Sequence, residues 1–263
     1  KTLFRAEKQI GLMLFGKGNI GSRWLELFAR EQKNISARSG FEFVLAGVVD
    51  SKRSLLNYEG LDASRALAFF DDESQAHDEE SLFLWMRAHP YDDLVVLDVT
   101  ASAELADQYL DFASYGFHVI SANKLAGASD SNKYRQIRDA FSKTDSHWLY
   151  NATVGAGLPV NHTVRDLRES GDSILAISGI FSGTLSWLFL QFDGTLPFTE
   201  LVDLAWQQGL TEPDPRDDLS GQDVMRKLVI LAREAGYDIE PTQVRVESLV
   251  PADCATGSVD QFF

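Results

Sequence analysis

A single cysteine, Cys254, stands in 263 residues. A lone thiol excludes an intramolecular disulfide framework and a cysteine-ligated zinc site, and it fits a reducing cytosol. Histidine is almost as sparse, and His77, His89, His118, His147 and His162 show no metal-ligand spacing, which speaks against a zinc centre. Basic residues are outnumbered: 24 Lys and Arg face 39 Asp and Glu, for a formal net charge of −15. This balance argues against nucleic acid or anionic membrane as a general partner, since either wants a basic surface. Long apolar runs are missing too. No stretch approaches the ~20 apolar residues that cross a bilayer, and Lys1 to Gln9 lacks the apolar run of a signal peptide. Together these absences point to the cytoplasm. The chain opens on Lys1 and stops at Gln261-Phe262-Phe263, and both ends read as cuts in a longer polypeptide.

What is present is ordinary for a globular protein, with 44% hydrophobic and 24% charged residues, and the length allows two modest domains or one large one. Up to residue 150, short β-rich runs alternate with helical stretches, the pattern of a parallel sheet with crossover helices. Strands are expected at Ile10–Phe15, Phe43–Val49, Leu94–Asp98, Phe117–Ser121 and His147–Tyr150. Helices are expected at Ile20–Arg30, Glu79–His89, Ala103–Tyr115 and Ser129–Lys143. Asp71–Glu80, with six acidic residues in ten, reads as a solvated loop or helix edge.

Glycines and a proline in Asn151–Pro159 interrupt the periodicity and mark a domain boundary. After it the expected elements are a helix near Val160–Ser170, a strand near Ile174–Phe181 and helices near Leu185–Phe192 and Thr199–Gln208. A loop, Gly209–Gly221, leads into a long helix from Gln222 to Ala235. The fold class is α/β: a Rossmann-like doubly wound parallel sheet over residues 1–150, and an α+β domain over residues 151–263.

The apolar run Ile10–Phe15 passes directly into Gly16-Lys17-Gly18-Asn19-Ile20-Gly21, a G-x-G-x-x-G between a strand and a helix. The first glycine permits a tight turn, the second lets backbone approach a pyrophosphate, and the third lets helix and strand pack closely. The phosphate would then rest on the helix N-terminus, where unpaired N–H groups and the dipole favour an anion. Gly16, Gly18, Asn19, Ile20 and Gly21 are thus candidate dinucleotide contacts. At the end of the second strand a carboxylate favours NAD, by bonding the ribose 2′-hydroxyl, and a basic residue favours the 2′-phosphate of NADP. Asp50 argues for the first, Lys52 and Arg53 for the second, and the choice stays open.

Three further segments resemble the homoserine dehydrogenase family, most of all the dehydrogenase part of bifunctional aspartokinase/homoserine dehydrogenases. The strongest is Gly209-Leu-Thr-Glu-Pro-Asp-Pro-Arg-Asp-Asp-Leu-Ser-Gly-Gln-Asp-Val-Met-Arg-Lys227. The second joins Asp98-Val-Thr-Ala-Ser102 to His118-Val-Ile-Ser-Ala-Asn-Lys124, and the third joins Ala152–Pro159 to Ser178–Ser186. In the key segment Asp223 and Lys227 lie four apart at the start of a helix and so share a face. Glu212, Asp214, Asp217 and Asp218 crowd the preceding loop and offer carboxylates to a substrate ammonium group.

The resemblance implies an NAD(P)-dependent oxidoreductase that interconverts L-homoserine and L-aspartate 4-semialdehyde, a step toward threonine and methionine. By resemblance Lys227 handles the proton on the alcohol or aldehyde oxygen, and Lys124 is its partner from the nucleotide domain. A lysine suits that role as a residue type, because burial and a second cation can lower a lysine's pKa while the charged form stabilises an alkoxide. Glu212 and Asp223 would hold the substrate, with Asp218 a further carboxylate for its ammonium group. Thr100, Lys124 and Gly209 would contact the cofactor. The stretch after Tyr150 resembles the family's monovalent-cation site for Na+ or K+, with Asn151 and the carbonyls of Val154, Ala156 and Leu158 as ligands, oxygen donors that suit a hard cation. Many relatives carry an acid at the position of Asn151. Family members continue for roughly a hundred residues that return to the nucleotide domain, and this chain stops first. A homo-oligomer is expected. A rival from another class is a catalytically silent dinucleotide-binding or assembly module.

Overall fold

The computed structural model describes Lys8–Glu212 and Asp214–Phe263. These residues form two compact units. One runs to Ala126 and resumes over Asn132–Tyr150, and the other holds Gly127–Ser131 and Asn151–Phe263.

The first unit is built on a seven-stranded sheet. Its strands are β1 (Lys8–Phe15), β2 (Phe41–Val49), β3 (Arg53–Leu56), β4 (Gln75–Ala76), β5 (Asp93–Asp98), β6 (His118–Ser121) and β7 (Trp148–Leu149). Their order in space is β4-β3-β2-β1-β5-β6-β7. The five strands from β2 to β7 in that order pair in parallel, while β3 and β4 add antiparallel at one edge. The helices are α1 (Asn19–Ser39), α2 (Ala66–Glu73), α3 (Glu79–Arg87), α4 (Ala103–Asp107), α5 (Tyr109–Ser114) and α6 (Ser131–Lys143).

Continuous apolar runs make β1 and β5, as a parallel strand covered on both faces requires. Leu12, Leu14, Leu45 and Val48 of the sheet pack against Leu25 and Phe28 of α1 and Phe70 of α2. Each such Leu or Phe contributes about 1.5–3 kcal/mol relative to exposure. That cluster fixes the two elements flanking the glycine turn. From β1 the chain moves outward to β2, then returns past β1 to β5, so the strand order reverses between β1 and β5. In an open α/β sheet ligands bind outside the carboxyl ends of the strands at that reversal.

Several elements of this unit differ from the sequence reading. Helix α1 runs on to Ser39 instead of Arg30, because Glu31–Ser39 contains no breaker and Gly40, at φ +73°, supplies the left-handed stop. The helix expected over Ala103–Tyr115 breaks at Gln108 into α4 and α5. The acidic stretch Asp71–Glu80 is divided among the end of α2, β4 and the start of α3, where Asp78 caps the Ser81 N–H at 2.8 Å.

In the second unit the described elements after residue 150 are α7 (Val160–Glu169), α8 (Gly183–Gln191), α9 (Phe198–Gln207), α10 (Pro215–Leu219), α11 (Gln222–Glu234) and α12 (Val259–Phe262), with short 3-10 turns. Leu188, Leu201, Val202, Ala205 and Leu219 form its buried cluster. The strand expected near Ile174–Phe181 does not form among the described residues. Its apolar side chains face water, Leu175 at 91% and Ile180 at 79% exposure, and a strand without a ladder partner leaves its backbone groups unpaired. No helix among the described residues is long and apolar enough to cross a membrane.

Candidate active site

The chain leaves β1 at Gly16, whose φ of +103° only glycine adopts readily. Its N–H donates to the Val49 carbonyl at 2.9 Å, tying the turn to the end of β2. Gly21 is required by proximity: a Cβ there would stand 2.0 Å from the Gly16 carbonyl oxygen. Gly18 is different, since a Cβ there meets nothing within 4 Å. It begins α1, and among the described residues no side chain caps that end and no acid lies in its first turn. Gly18, Asn19 and Ile20 are exposed. The turn therefore presents open space to uncapped helix N–H groups, the arrangement that receives a phosphate. The turn after β5 sits against it, with the Thr100 methyl 3.1 Å from where a Gly16 Cβ would stand.

At the end of β2, Asp50 is occupied by its own hairpin. Its Oδ1 accepts the N–H groups of Lys52 at 2.9 Å and Arg53 at 2.8 Å. Arg53 lies in β3 and donates its guanidinium to the Ser74 carbonyl at 2.6 Å. Lys52 is exposed. A cation that the sequence reading passed over, Lys17, stands 4.8 Å above the Phe70 ring and 3.6 Å from Asp71.

The ends of β5 and β6 meet at Asp98, which is fully buried. Its Oδ1 accepts the Thr100 N–H at 2.9 Å and the Thr100 hydroxyl at 2.7 Å. Its Oδ2 accepts the Tyr109 hydroxyl at 2.7 Å and the Asn123 amide at 3.0 Å. Burial pushes the Asp98 carboxyl above its ordinary value, against the opposing pull of these donors. Lys124, beside Asn123, is half-buried.

In the second unit, Gly209 closes α9 at φ +69° and donates to the Trp206 carbonyl. Asp214 caps α10 and forks onto the Arg216 guanidinium, which holds its carboxyl below the ordinary range. Asp218 is buried with both oxygens engaged, Oδ2 by the Glu212 N–H at 2.7 Å and Oδ1 by the Thr184 hydroxyl at 2.9 Å. Its pKa is raised by burial, with the Glu212 and Asp223 charges adding to the rise. Asp223 and Lys227 form the ion pair that their spacing on α11 allows, at 2.6 Å, and the Lys227 ammonium also donates to the Phe181 carbonyl at 2.7 Å. Glu212, Asp218, Asp223 and Lys227 are thus drawn together, and Asp218 faces protein donors on both oxygens.

The loop after Tyr150 makes a 3-10 turn over Asn151–Thr153, buries Val154 and carries Ala156 at φ +51°. Leu158 is 66% exposed and its carbonyl accepts the Val160 N–H. Asn151 Oδ1 is buried with no hydrogen-bond partner among the described residues. Among the same residues no cluster of three His, Cys, Asp or Glu side chains is placed to hold a metal. Asp98, Tyr109, Thr184 and the Phe181 carbonyl were not singled out by sequence reasoning. An acid closing the buried run Leu94–Leu97 was the one available signal.

A reversal of strand order, with an uncapped glycine turn on one side of it and the Thr100 turn on the other, defines a dinucleotide-binding α/β protein. The family model described as "Homoserine dehydrogenase, NAD binding domain" matches residues 16–151, and the model "Homoserine dehydrogenase" matches residues 159–260. The chain belongs to the homoserine dehydrogenase family. It is 85% identical over 263 residues to bifunctional aspartokinase/homoserine dehydrogenase 2 of Escherichia coli (strain K12), covering all of this chain and 32% of that protein. It is 40% identical to the chloroplastic bifunctional aspartokinase/homoserine dehydrogenase 1 of Arabidopsis thaliana, covering 99% of this chain and 28% of that one. The solved homoserine dehydrogenase of Thermoplasma acidophilum superposes with a TM-score of 0.70 at 26% identity, over 90% of this chain and 72% of that one. The chain spans about a third of the length of the curated relatives it matches, 32% and 28%.

Proposed function

We propose that this chain carries homoserine dehydrogenase activity, the NAD(P)-dependent interconversion of L-homoserine and L-aspartate 4-semialdehyde. The observation that carries this reading is the Lys227 ammonium, held 2.6 Å from Asp223 in a cluster that also contains Glu212 and Asp218. Residues 1–150 act as the nucleotide domain and residues 151–263 as the substrate domain.

The open space at Gly18 and the uncapped start of α1 fit a dinucleotide pyrophosphate. Gly16, Gly18, Asn19, Ile20, Gly21 and Thr100 would hold that cofactor, with Gly209 a further contact and Asp50 or Lys52 at the adenosine ribose. When bound, NAD(P) supplies hydride acceptance and donation. Lys227 exchanges the proton on the substrate oxygen, its charged form stabilising alkoxide character and its neutral form acting as base. Family resemblance assigns Lys124 a second part in that proton handling. Glu212 and Asp223 hold the substrate ammonium, and Asp218, engaged by Glu212 and Thr184, fixes the loop that presents them. Asn151 Oδ1, buried without a partner, fits a monovalent cation completed by the carbonyls of Val154, Ala156 and Leu158. The exposed Leu175, Ile180 and Leu190 support self-association into a homo-oligomer, and the lone cysteine supports a cytoplasmic setting.

The test follows NAD(P)H absorbance with homoserine in the full natural chain and its Lys227→Ala variant. Loss of proton transfer should lower the rate more than ~100-fold. A folded, dinucleotide-binding sample with no homoserine-dependent turnover overturns the reading.

A further inference from the structure

Asp98 lies at the carboxyl end of β5, at the reversal of strand order, and takes no part in the chemistry assigned above. Its surroundings are unusual in one respect. Each carboxylate oxygen faces one group that can only donate: the Thr100 N–H at 2.9 Å on Oδ1 and the Asn123 side-chain amide N–H at 3.0 Å on Oδ2. The Thr100 and Tyr109 hydroxyls complete the set. An asparagine here would set its own NH2 against one of the two obligate donors whichever way it turned. Only two acceptor oxygens satisfy the cage.

We propose that Asp98 is a positioning residue whose buried carboxylate locks the turn bearing Thr100 and the turn bearing Lys124 into one arrangement. The proposal rests on the roles given above to those two residues. On the first arm, Asp98 takes the Thr100 hydroxyl hydrogen, and the Thr100 oxygen accepts the Ser102 N–H at 3.1 Å. The hydroxyl is thereby committed to protein, and the methyl is the part of Thr100 that faces the Gly16 turn. On the second arm, the Asn123 amide donates to both Asp98 and the Ser102 carbonyl, the latter at 2.8 Å, while its Oδ1 accepts the Leu125 N–H at 3.0 Å. The Asp98 main-chain carbonyl also accepts the Ala122 N–H at 2.8 Å. The backbone is thus held on both sides of Lys124, at residues 122–123 and at 125. Behind the carboxylate, Tyr109 and Trp148 are buried, and the Trp148 indole donates to Ser121 at 3.1 Å, so the support reaches across β6 to β7. Burial works against the charged carboxylate and raises the Asp98 pKa, while the Tyr109, Thr100 and Asn123 donors pull the other way and favour the ionised form.

The experiment measures NADP+ and NAD+ affinity by calorimetry, steady-state kcat with homoserine, and melting temperature, in the full natural chain and two variants. Asp98→Asn leaves one buried donor opposed, and should weaken dinucleotide binding by about 10- to 100-fold and lower kcat as well. Asn123→Ala removes the side-chain anchor of the Lys124 turn and its bond to the Ser102 carbonyl but leaves both Thr100 bonds to Asp98 in place, and should lower kcat far more than dinucleotide affinity. That split distinguishes positioning from bulk stability, which would lower melting temperature and leave the folded fraction with wild-type constants. Wild-type affinity and kcat in Asp98→Asn overturns the proposal and leaves the functional reading standing. Should Asp98→Asn fail to fold, wild-type kcat in Asn123→Ala overturns it equally. A wild-type chain that binds neither dinucleotide overturns the functional reading and the proposal together.

Discussion

Replacing Gly18 by alanine separates the fold of the glycine turn from its use. At φ −71° the residue lies where alanine is at ease, and the added methyl meets no atom within 4 Å. The unliganded protein should therefore melt at the wild-type temperature or slightly above it, since Gly→Ala at a compatible site stabilises by about 0.4–1 kcal/mol through the unfolded chain. The methyl would, however, occupy the space assigned to the pyrophosphate, and a tenfold loss of affinity, about 1.4 kcal/mol, is the least expected. At a dinucleotide concentration of 100 times Kd the wild type gains about 2.7 kcal/mol from ligand, while the variant at the same concentration gains only about 1.4 kcal/mol. With roughly 2–4 °C per kcal/mol for a protein of this size, the ligand-induced shift should fall from about 5–11 °C to about 3–6 °C. Differential scanning fluorimetry with and without NADP+ and NAD+ reads both quantities at once. Gly21→Ala is the counterpart: with its Cβ 2.0 Å from a backbone oxygen, it should lower the unliganded melting temperature first. If Gly18→Ala keeps the full ligand shift, the phosphate does not rest on this backbone and the reasoning fails.

Asp218→Asn should raise KM for homoserine, because a buried donor left unmatched against Glu212 or Thr184 costs about 1–3 kcal/mol; an unchanged KM would remove Asp218 from the support of that loop. Acid should loosen α10. Asp214 titrates below its ordinary 3.8 because Arg216 bonds it, so it contributes stability above 3.8 that is lost as pH falls through the depressed value. Amide exchange over Arg216–Ser220 during acidification checks this, and the transition should vanish in Asp214→Asn. For Asn151→Leu, stimulation of turnover by K+ or Na+ relative to choline should be lost; equal stimulation in variant and wild type would rule out the Asn151 oxygen as a ligand.

The parts of the fold that were legible are those where local chemistry decides. The apolar runs of β1, β2 and β5, the G-x-G-x-x-G and the four-residue spacing of Asp223 and Lys227 all carry their geometry within a few residues. The edge strands β3 and β4 were illegible because Arg53–Leu56 and Gln75–Ala76 are too short for any periodicity and form only by pairing, β3 on β2 and β4 on β3. Ile174–Phe181 misled in the opposite sense, since its apolar content resembles a strand while the described residues give it no ladder. Asp98 shows a third limit. Residues 98, 109 and 123 join only through the tertiary fold, and a lone acid after Leu97 announces neither partner. Asp218 was read as a substrate ligand from its charge, whereas its hydrogen bonds turn inward.

The bond from Lys52 and Arg53 to Asp50 Oδ1 bears on how cofactor choice could change. In a Rossmann domain the acid after the second strand bonds the ribose 2′-hydroxyl of NAD, and a nearby basic residue accommodates the 2′-phosphate of NADP. Here the same carboxylate closes the turn from which β3 and β4 hang. Exchanging it for a neutral residue would relieve a 2′-phosphate of repulsion and, in the same step, unfasten the edge of the sheet. Redesign toward either cofactor would do better to begin at Lys52, whose side chain is exposed, and leave Asp50 to hold the hairpin.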